Sequence, residues 1–334
     1  MEQADALIWA LTEAEDHVSR LDERVRACGF SAGWAARLDF LEAIAWGWNS
    51  GQVISTEELL LHDESMDRQM PDAALRAVHG LVRARRKAAA GGPELLSAAG
   101  AAWLAGRRAR PPAAAAQGLA AADRRLDPEA PLLPQLLAEL ERLQAGTTAD
   151  PGEAVAEWLG LLALAHPRLP ALLQAAVALA GWRIVSPYPN ETYLGPLMTA
   201  HWLRTRRRVR GHLLGLEAGL RELGRTRRPW PTAPMAERLV FWVEVIQAAA
   251  AAGLEALNRL ELARQVAVHR IGDRRSHSHL GALLDLLLER PLVTAPVAAQ
   301  RLKVSGQTAR RLLGELGGSV TELSGQSRYR AWRL

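Results

Sequence analysis

The amino-acid sequence predicts a mainly α protein, a helical body followed by a C-terminal winged helix-turn-helix with a small β-hairpin. Three observations predict it. Ala and Leu dominate a chain of 334 residues that is 49% apolar and carries only three Phe and three Tyr beside eleven Trp, a composition of packed helices rather than sheets. Helix, turn, helix and hairpin signals follow one another from His277 to Leu334 at winged-helix spacing. Charge is the third. From His277 on, eight Lys and Arg stand against four Asp and Glu, so +4 of the net +5 sits there, and positive charge opposite phosphates supplies sequence-independent affinity for nucleic acid.

Within that segment Leu280, Leu283, Leu284, Leu287 and Leu288 form an i, i+3, i+4, i+7, i+8 stripe that ends before Pro291. Thr294 is placed to N-cap a second helix, with Pro296 in its first turn and Val297, Ala298 and Leu302 as its apolar face. Lys303 and Val304 make a tight turn, Ser305 caps a third helix, and Gly317 and Gly318 close it. With Ala309, Leu312, Leu313 and Leu316 inward, Gln307, Thr308, Arg310 and Arg311 are the expected groove contacts, at the surface where Ser305 caps the helix. Val320 to Leu323 and Arg328 to Trp332 flank a turn from Ser324 to Ser327 and are read as the wing. Alternation along its second strand puts Arg328 and Arg330 on one face, placed with Lys303 to contact the DNA backbone. Gly314 interrupts the third helix at a cost of about 1 kcal/mol relative to alanine, which suggests that something approaches the backbone there.

The body reads as a series of helices. Residues 4 to 27 are amphipathic, with Leu7, Leu11, Val18, Leu21 and Val25 on one side. A second helix begins near Gly33 and is broken by Asn49, Ser50 and Gly51. Thr56, Glu57 and Glu58 make the acidic start of a third, and Ala74 to Lys87 form a fourth with a basic end. Residues 88 to 130, rich in Gly, Pro, Arg and Ala, suggest a flexible connection around short helices. Helical periodicity resumes over Leu132 to Leu143 and from Asp150 and Pro151 through Leu164. The stretch Ala171 to Ile184 is apolar all round and is expected to be buried, and Leu194 to Leu203 follows a turn-rich loop. Nine arginines between Arg204 and Arg228 are either a second phosphate-contacting patch or a solvated helix end and loop. A long helix runs from Met235 to about Arg270, and Gly272 to Ser276 read as a hinge, dividing residues 1–275 from 276–334.

The single cysteine, Cys28, excludes an intrachain disulfide and a cysteine-rich metal site and points to a reducing cytoplasm. No terminal segment reads as a secretory signal and no uncharged apolar run reaches about 20 residues, so no membrane contact is expected. No Walker-type phosphate loop, zinc-protease motif or nucleophile elbow is present, so neither catalytic residues, cofactor nor metal is expected. His277 and His279 lie two apart, poor spacing for one helical face. His62 beside Asp63 is read as a hydrogen-bonded structural pair in preference to an acid-base pair, because no nucleophile is nearby in sequence.

The blocks Gly51 to Lys87 and Leu283 to Trp332 resemble a family of uncharacterised helix-turn-helix proteins of rhizobia and their relatives, over nearly the whole chain. That resemblance implies a DNA-binding C-terminal module. The order of parts is also similar to Fic-domain proteins that end in a winged helix; those transfer nucleotide monophosphates to hydroxyl groups through His-Pro-Phe, an acid, and Gly-Asn-Gly-Arg. Here Pro187 and Gly195 match, Ser186 stands at the histidine, and Gly-Asn-Gly-Arg is absent, so the resemblance implies a Fic-like scaffold without its base and anion cradle. The function expected is sequence-specific binding of double-stranded DNA by a cytoplasmic, nucleoid-associated transcriptional regulator. A homodimer is expected because one small winged helix buries too little surface for high specificity. The alternatives are a divergent Fic-like nucleotidyl transferase, which an arginine-lined pocket near Ser186 to Gly195 would favour, and a plasmid maintenance or transfer accessory protein.

Overall fold

The computed structural model describes residues 2–67, 69–107, 110–111, 125–146, 149–164, 168–224, 233–272, 279–323 and 330–334. Its spine is a pair of long helices, α1 (Glu2–Ala27) and α11 (Met235–Ile271). They run in the same direction: Leu21 of α1 packs on Gly253 of α11, and Arg24 donates to Asn258 and Glu261 further along. The periodic side chains of α1 make the contact, since Leu7, Ala14, Val18, Leu21 and Val25 are buried while Leu11 is only partly so. Gly253 permits the approach; a Cβ there would lie 2.9 Å from Leu21.

α2 (Ser31–Asn49), α3 (Thr56–Asp63) and α4 (Ala73–Ala90) follow as expected. Ser55 and Glu58 close a capping box at the start of α3, and Asp72 caps α4. A 3-10 turn (Pro93–Leu95) and α5 (Ala98–Leu104) are the short helices of the Gly- and Pro-rich region, whose residues 112–124 lie outside the described set. α6 (Leu132–Ala145) and α7 (Pro151–Leu162) precede α8 (Ala171–Val185), in which every residue from Leu172 to Trp182 is buried. α9 is Leu194–Thr205.

α10 (Leu216–Gly224) was not expected, because its arginine-rich surroundings read as loop or surface. Gly219 brings it within backbone distance of α11, where a Cβ would lie 2.2 Å from the Val245 carbonyl. Its first turn is held from α2, since the Glu42 carboxylate accepts from Glu217 N at 3.2 Å and Ala218 N at 2.7 Å. Arg85 of α4 completes this buried network with Asp39 and Glu42 at 2.8 and 3.3 Å. Among the described residues the arginines of this stretch do not share one patch. Arg204 caps the carbonyls of Ala88, Ala89 and Gly91, Arg208 pairs with Glu15, and Arg221 lies over the Trp48 ring. Arg225, Arg227 and Arg228 lie outside the described residues.

Among the described residues one helix, α11, is long and apolar enough to cross a membrane, and half of its most apolar window is buried in the core. Beyond Gly272 the hinge residues 273–276 are outside the described set. The C-terminal module comprises α12 (Leu280–Glu289), β1 (Val293–Thr294), α13 (Ala295–Leu302), α14 (Gly306–Leu316), β2 (Thr321–Glu322) and β3 (Ala331–Arg333). The sheet has three strands in the order β1-β3-β2, all antiparallel, with Val293 opposite Trp332 and Thr321 opposite Arg333. The hairpin was expected; β1 was not, being two residues long and directly ahead of a helix cap.

Candidate nucleic-acid interface

The interface is built by burial. Ala309, Leu312, Leu313 and Leu316 are at most 2% exposed, and the helical period then turns Gln307, Arg310, Arg311 and Gly314 to solvent. Lys303 sets the angle between α13 and α14: it adopts the left-handed conformation at φ 55°, with Val304 N bonded to Ala299 O at 3.0 Å. Thr294 caps α13. Ser305 caps α14, accepting from Thr308 N at 3.1 Å and sharing a 2.9 Å hydrogen bond with the Thr308 hydroxyl, so both hydroxyls are engaged at the helix start.

The cations of this surface fall into two groups. Arg311 is paired with Glu315 one turn on, Arg301 with Glu289 at 2.7 Å, and Arg330 with both oxygens of Glu322 at 2.7 and 2.5 Å. The hydrogen bonds to Glu322 push the already high pKa of Arg330 further up. Lys303 and Arg310 are exposed and have no acidic partner among the described residues, and Arg310 Nε reaches back to Gly306 O at 3.2 Å, toward the Lys303 end. Arg328 lies outside the described residues. The pairing of Arg311 was legible from its i, i+4 spacing to Glu315. That of Arg330 needed the register of β2 and β3, which brings residues eight apart in sequence together across the hairpin. Gly314 meets nothing within 4 Å among the described residues, so the expected close approach does not come from any of them.

The Fic-like positions form a different environment. Ser186 ends α8 in the left-handed region at φ 40° and is exposed. Beside the following loop lies a cavity of about 640 Å³ whose wall includes Trp46, Trp182, Tyr193, Arg183, Glu191 and Glu217. Ser186 is not part of that wall, one arginine is, and the two carboxylates disfavour a phosphate. Gly195 has a packing role, because a Cβ there would lie 2.2 Å from the Trp182 ring. His62 and Asp63 do not pair with each other: His62 bonds Asp67 at 2.8 Å, while Asp63 accepts from His79 at 2.8 Å and twice from Arg86 at 2.7 Å. Burial raises the Asp63 carboxyl, but the bonds from His79 and Arg86 outweigh it and hold the group below the usual carboxylate range. Among the described residues no group of three His, Cys, Asp or Glu is arranged to hold a metal ion.

A helical body carrying a capped, outward-facing second helix of a helix-turn-helix and a three-stranded sheet with a wing hairpin defines a protein of the DNA-binding winged-helix class. Residues 280–334 match the HTH DNA binding domain, and residues 137–272 match a protein family of unknown function, DUF1612. The chain is 31% identical over 375 residues to the uncharacterized protein y4cF of Sinorhizobium fredii (strain NBRC 101917 / NGR234), covering 98% of this chain and 96% of that protein. It belongs to the same family as that protein. Its fold is similar to the crystal structure of a Fic family protein from Desulfovibrio desulfuricans G20, with a TM-score of 0.50 at 14% identity over 98% of this chain and 95% of the other.

Proposed function

We propose that this protein is a sequence-specific DNA-binding transcriptional regulator that acts as a homodimer in the cytoplasm, bound to the nucleoid. Residues 276–334 form the DNA-reading unit and residues 1–275 a body for dimerisation and partner contacts. The observation that carries this is the exposed face of α14, where Gln307 and Arg310 stand outward over a buried Ala309, Leu312, Leu313 and Leu316 row, next to Lys303. Gln307, Arg310 and Arg311 read base edges with Thr308 at the groove wall; Lys303, Ser305, Arg328 and Arg330 lie along the phosphates. Chromatin pull-down of the tagged protein identifies the sites, and gel shift on a recovered fragment against an unrelated one measures the preference. Equal affinity for both sinks the sequence-specific reading. Affinity also falls steeply with salt if phosphates are contacted, and a flat response removes that contact.

A second reading, a divergent Fic-like nucleotidyl transferase, is favoured by the open cavity beside the loop that follows Ser186. Transfer of labelled AMP from ATP to the protein or to a lysate would support it. The carboxylates on the cavity wall and the serine at the position of the base weigh against it.

A further inference from the structure

The face of α11 that the described residues leave uncovered is complementary to itself. Helical spacing places Ala248, Ala252, Glu255, Arg259, Leu262 and Val266 in one stripe along the helix, and exposure agrees with that placement. Leu262 and Val266 are 60% and 46% exposed, Glu255 and Arg259 are exposed, and the two alanines are partly covered. The stripe is uneven along its length. Its first half offers only methyl groups at a recessed level, its second half offers a projecting Leu and Val, and an acid and a base stand between them. Glu255 and Arg259 pair within the helix at 3.4 Å, both about two-thirds exposed, and such a pair holds its partners weakly.

A two-fold axis crossing α11 at the level of Leu257 maps position 252 onto 262, 248 onto 266, and 255 onto 259. It therefore sets large against small and acid against base twice over. That is the property required of an isologous interface, in which one surface must complement its own copy. A different partner gives no reason for this matching of both size and charge about a single point. We propose that a second copy of the chain docks antiparallel on this face, with Leu262 and Val266 of each copy over Ala252 and Ala248 of the other, and Glu255 of each against Arg259 of the other. The alanines let the two helices approach closely. This inference rests on the homodimer reading given above and supplies its surface.

The arrangement has a consequence for DNA. Each α11 runs about 14 residues from the axis to Ile271, so at 1.5 Å per residue the two ends stand about 42 Å apart. Dimeric helix-turn-helix proteins read half-sites about 34–36 Å apart, a separation of the same order.

The test uses the full-length chain without DNA. Sedimentation equilibrium of the wild type shows a dimer, and Leu262→Arg weakens self-association at least tenfold with unchanged circular dichroism. Glu255→Arg alone and Arg259→Glu alone each weaken it, whereas an equimolar mixture of the two single variants restores the dimer. In a Cys28→Ser background, mild oxidation of an Ala252→Cys chain mixed with a Leu262→Cys chain gives a disulfide-linked dimer. A wild-type dimer that neither cross-links at these positions nor responds to Leu262→Arg overturns the proposed surface and leaves the homodimer reading intact. A wild type that stays monomeric at high micromolar concentration overturns both, and the gel shifts with Arg310 variants judge the DNA-binding reading separately.

Discussion

Arg37 on α2 holds the end of a helix 250 residues away: its Nη2 donates to Leu287 O at 2.5 Å and its Nη1 to Leu288 O at 2.9 Å. A further bond reaches Arg290 O at 2.9 Å, so one guanidinium satisfies several terminal carbonyls of α12 that the helix itself cannot. Burial lowers the Arg37 pKa to about 10, which leaves it charged at neutral pH. Arg290 adds an ion pair to Glu64 at 2.9 Å, and Arg270 donates to Leu316 O at 3.1 Å. The C-terminal module is therefore fastened to the body through backbone carbonyls as well as apolar side chains.

Gly33 makes that joint possible, since a Cβ at this position would lie 1.8 Å from Leu288 O. Gly33→Ala is expected to force α12 off α2 and to cost about 1–3 kcal/mol, the usual range for overpacking. Amide hydrogen exchange should rise in α12 and around Arg37. Unchanged exchange at both places would show that the joint does not depend on this contact.

His212 sets an acid limit on stability. Its ring lies edge-on to Trp34 at 4.9 Å, and burial lowers its pKa to about 4, with Asp22 raising it in part and Arg85 lowering it further. The unfolded chain, with an ordinary value near 6.5, binds the proton that the folded state refuses. Folding therefore loses stability as pH falls from about 6.5 to about 4, by up to about 1.4 kcal/mol per pH unit from this group, and gains nothing from it above that window. His212→Phe should flatten the slope of urea-unfolding stability between pH 6.5 and 4.5. A slope equal to the wild type would assign the acid sensitivity to other groups.

Arg310 and Arg311 differ in what DNA must displace. Among the described residues Arg310 has no acidic partner, whereas Arg311 must leave Glu315. Arg310→Ala is expected to weaken a gel shift by roughly tenfold or more, within the 1–3 kcal/mol of a base contact, and Arg311→Ala by less. Glu322→Gln should release Arg330 and raise affinity for unrelated DNA, steepening the salt dependence by about one phosphate contact. Equal losses for both arginines would refute the distinction.

No described residue comes within 4 Å of the place a side chain at Gly314 would take. Gly314→Ala should raise stability by about 0.5–1 kcal/mol, the helix-propensity gain of alanine over glycine. Loss of DNA affinity in a variant more stable than the wild type would place the DNA backbone against this turn, and unaltered affinity would leave propensity as the whole effect.

Local chemistry made most of the helices legible. Thr294, Ser305 and Asp150 cap helices as their types and neighbours require, the apolar periods of α1 and α12 translate directly into buried faces, and α8, apolar all round, is buried from Leu172 to Trp182. The outward set on α14 was likewise readable, because four buried positions at helical spacing leave one solvent face. Three things were not. α10 is a short helix made viable by the Glu42 carboxylate at its start and a glycine against α11, neither of which is near it in sequence. β1 exists only because β3 returns beside it. The pairing of Arg330 with Glu322, and the bond from Arg37 to the end of α12, depend on register and docking between segments that the chain order separates. Propensity and capping act over a few residues, so a sequence determines them by itself; long-range partners for a charge or a carbonyl are chosen only when packing brings distant segments together.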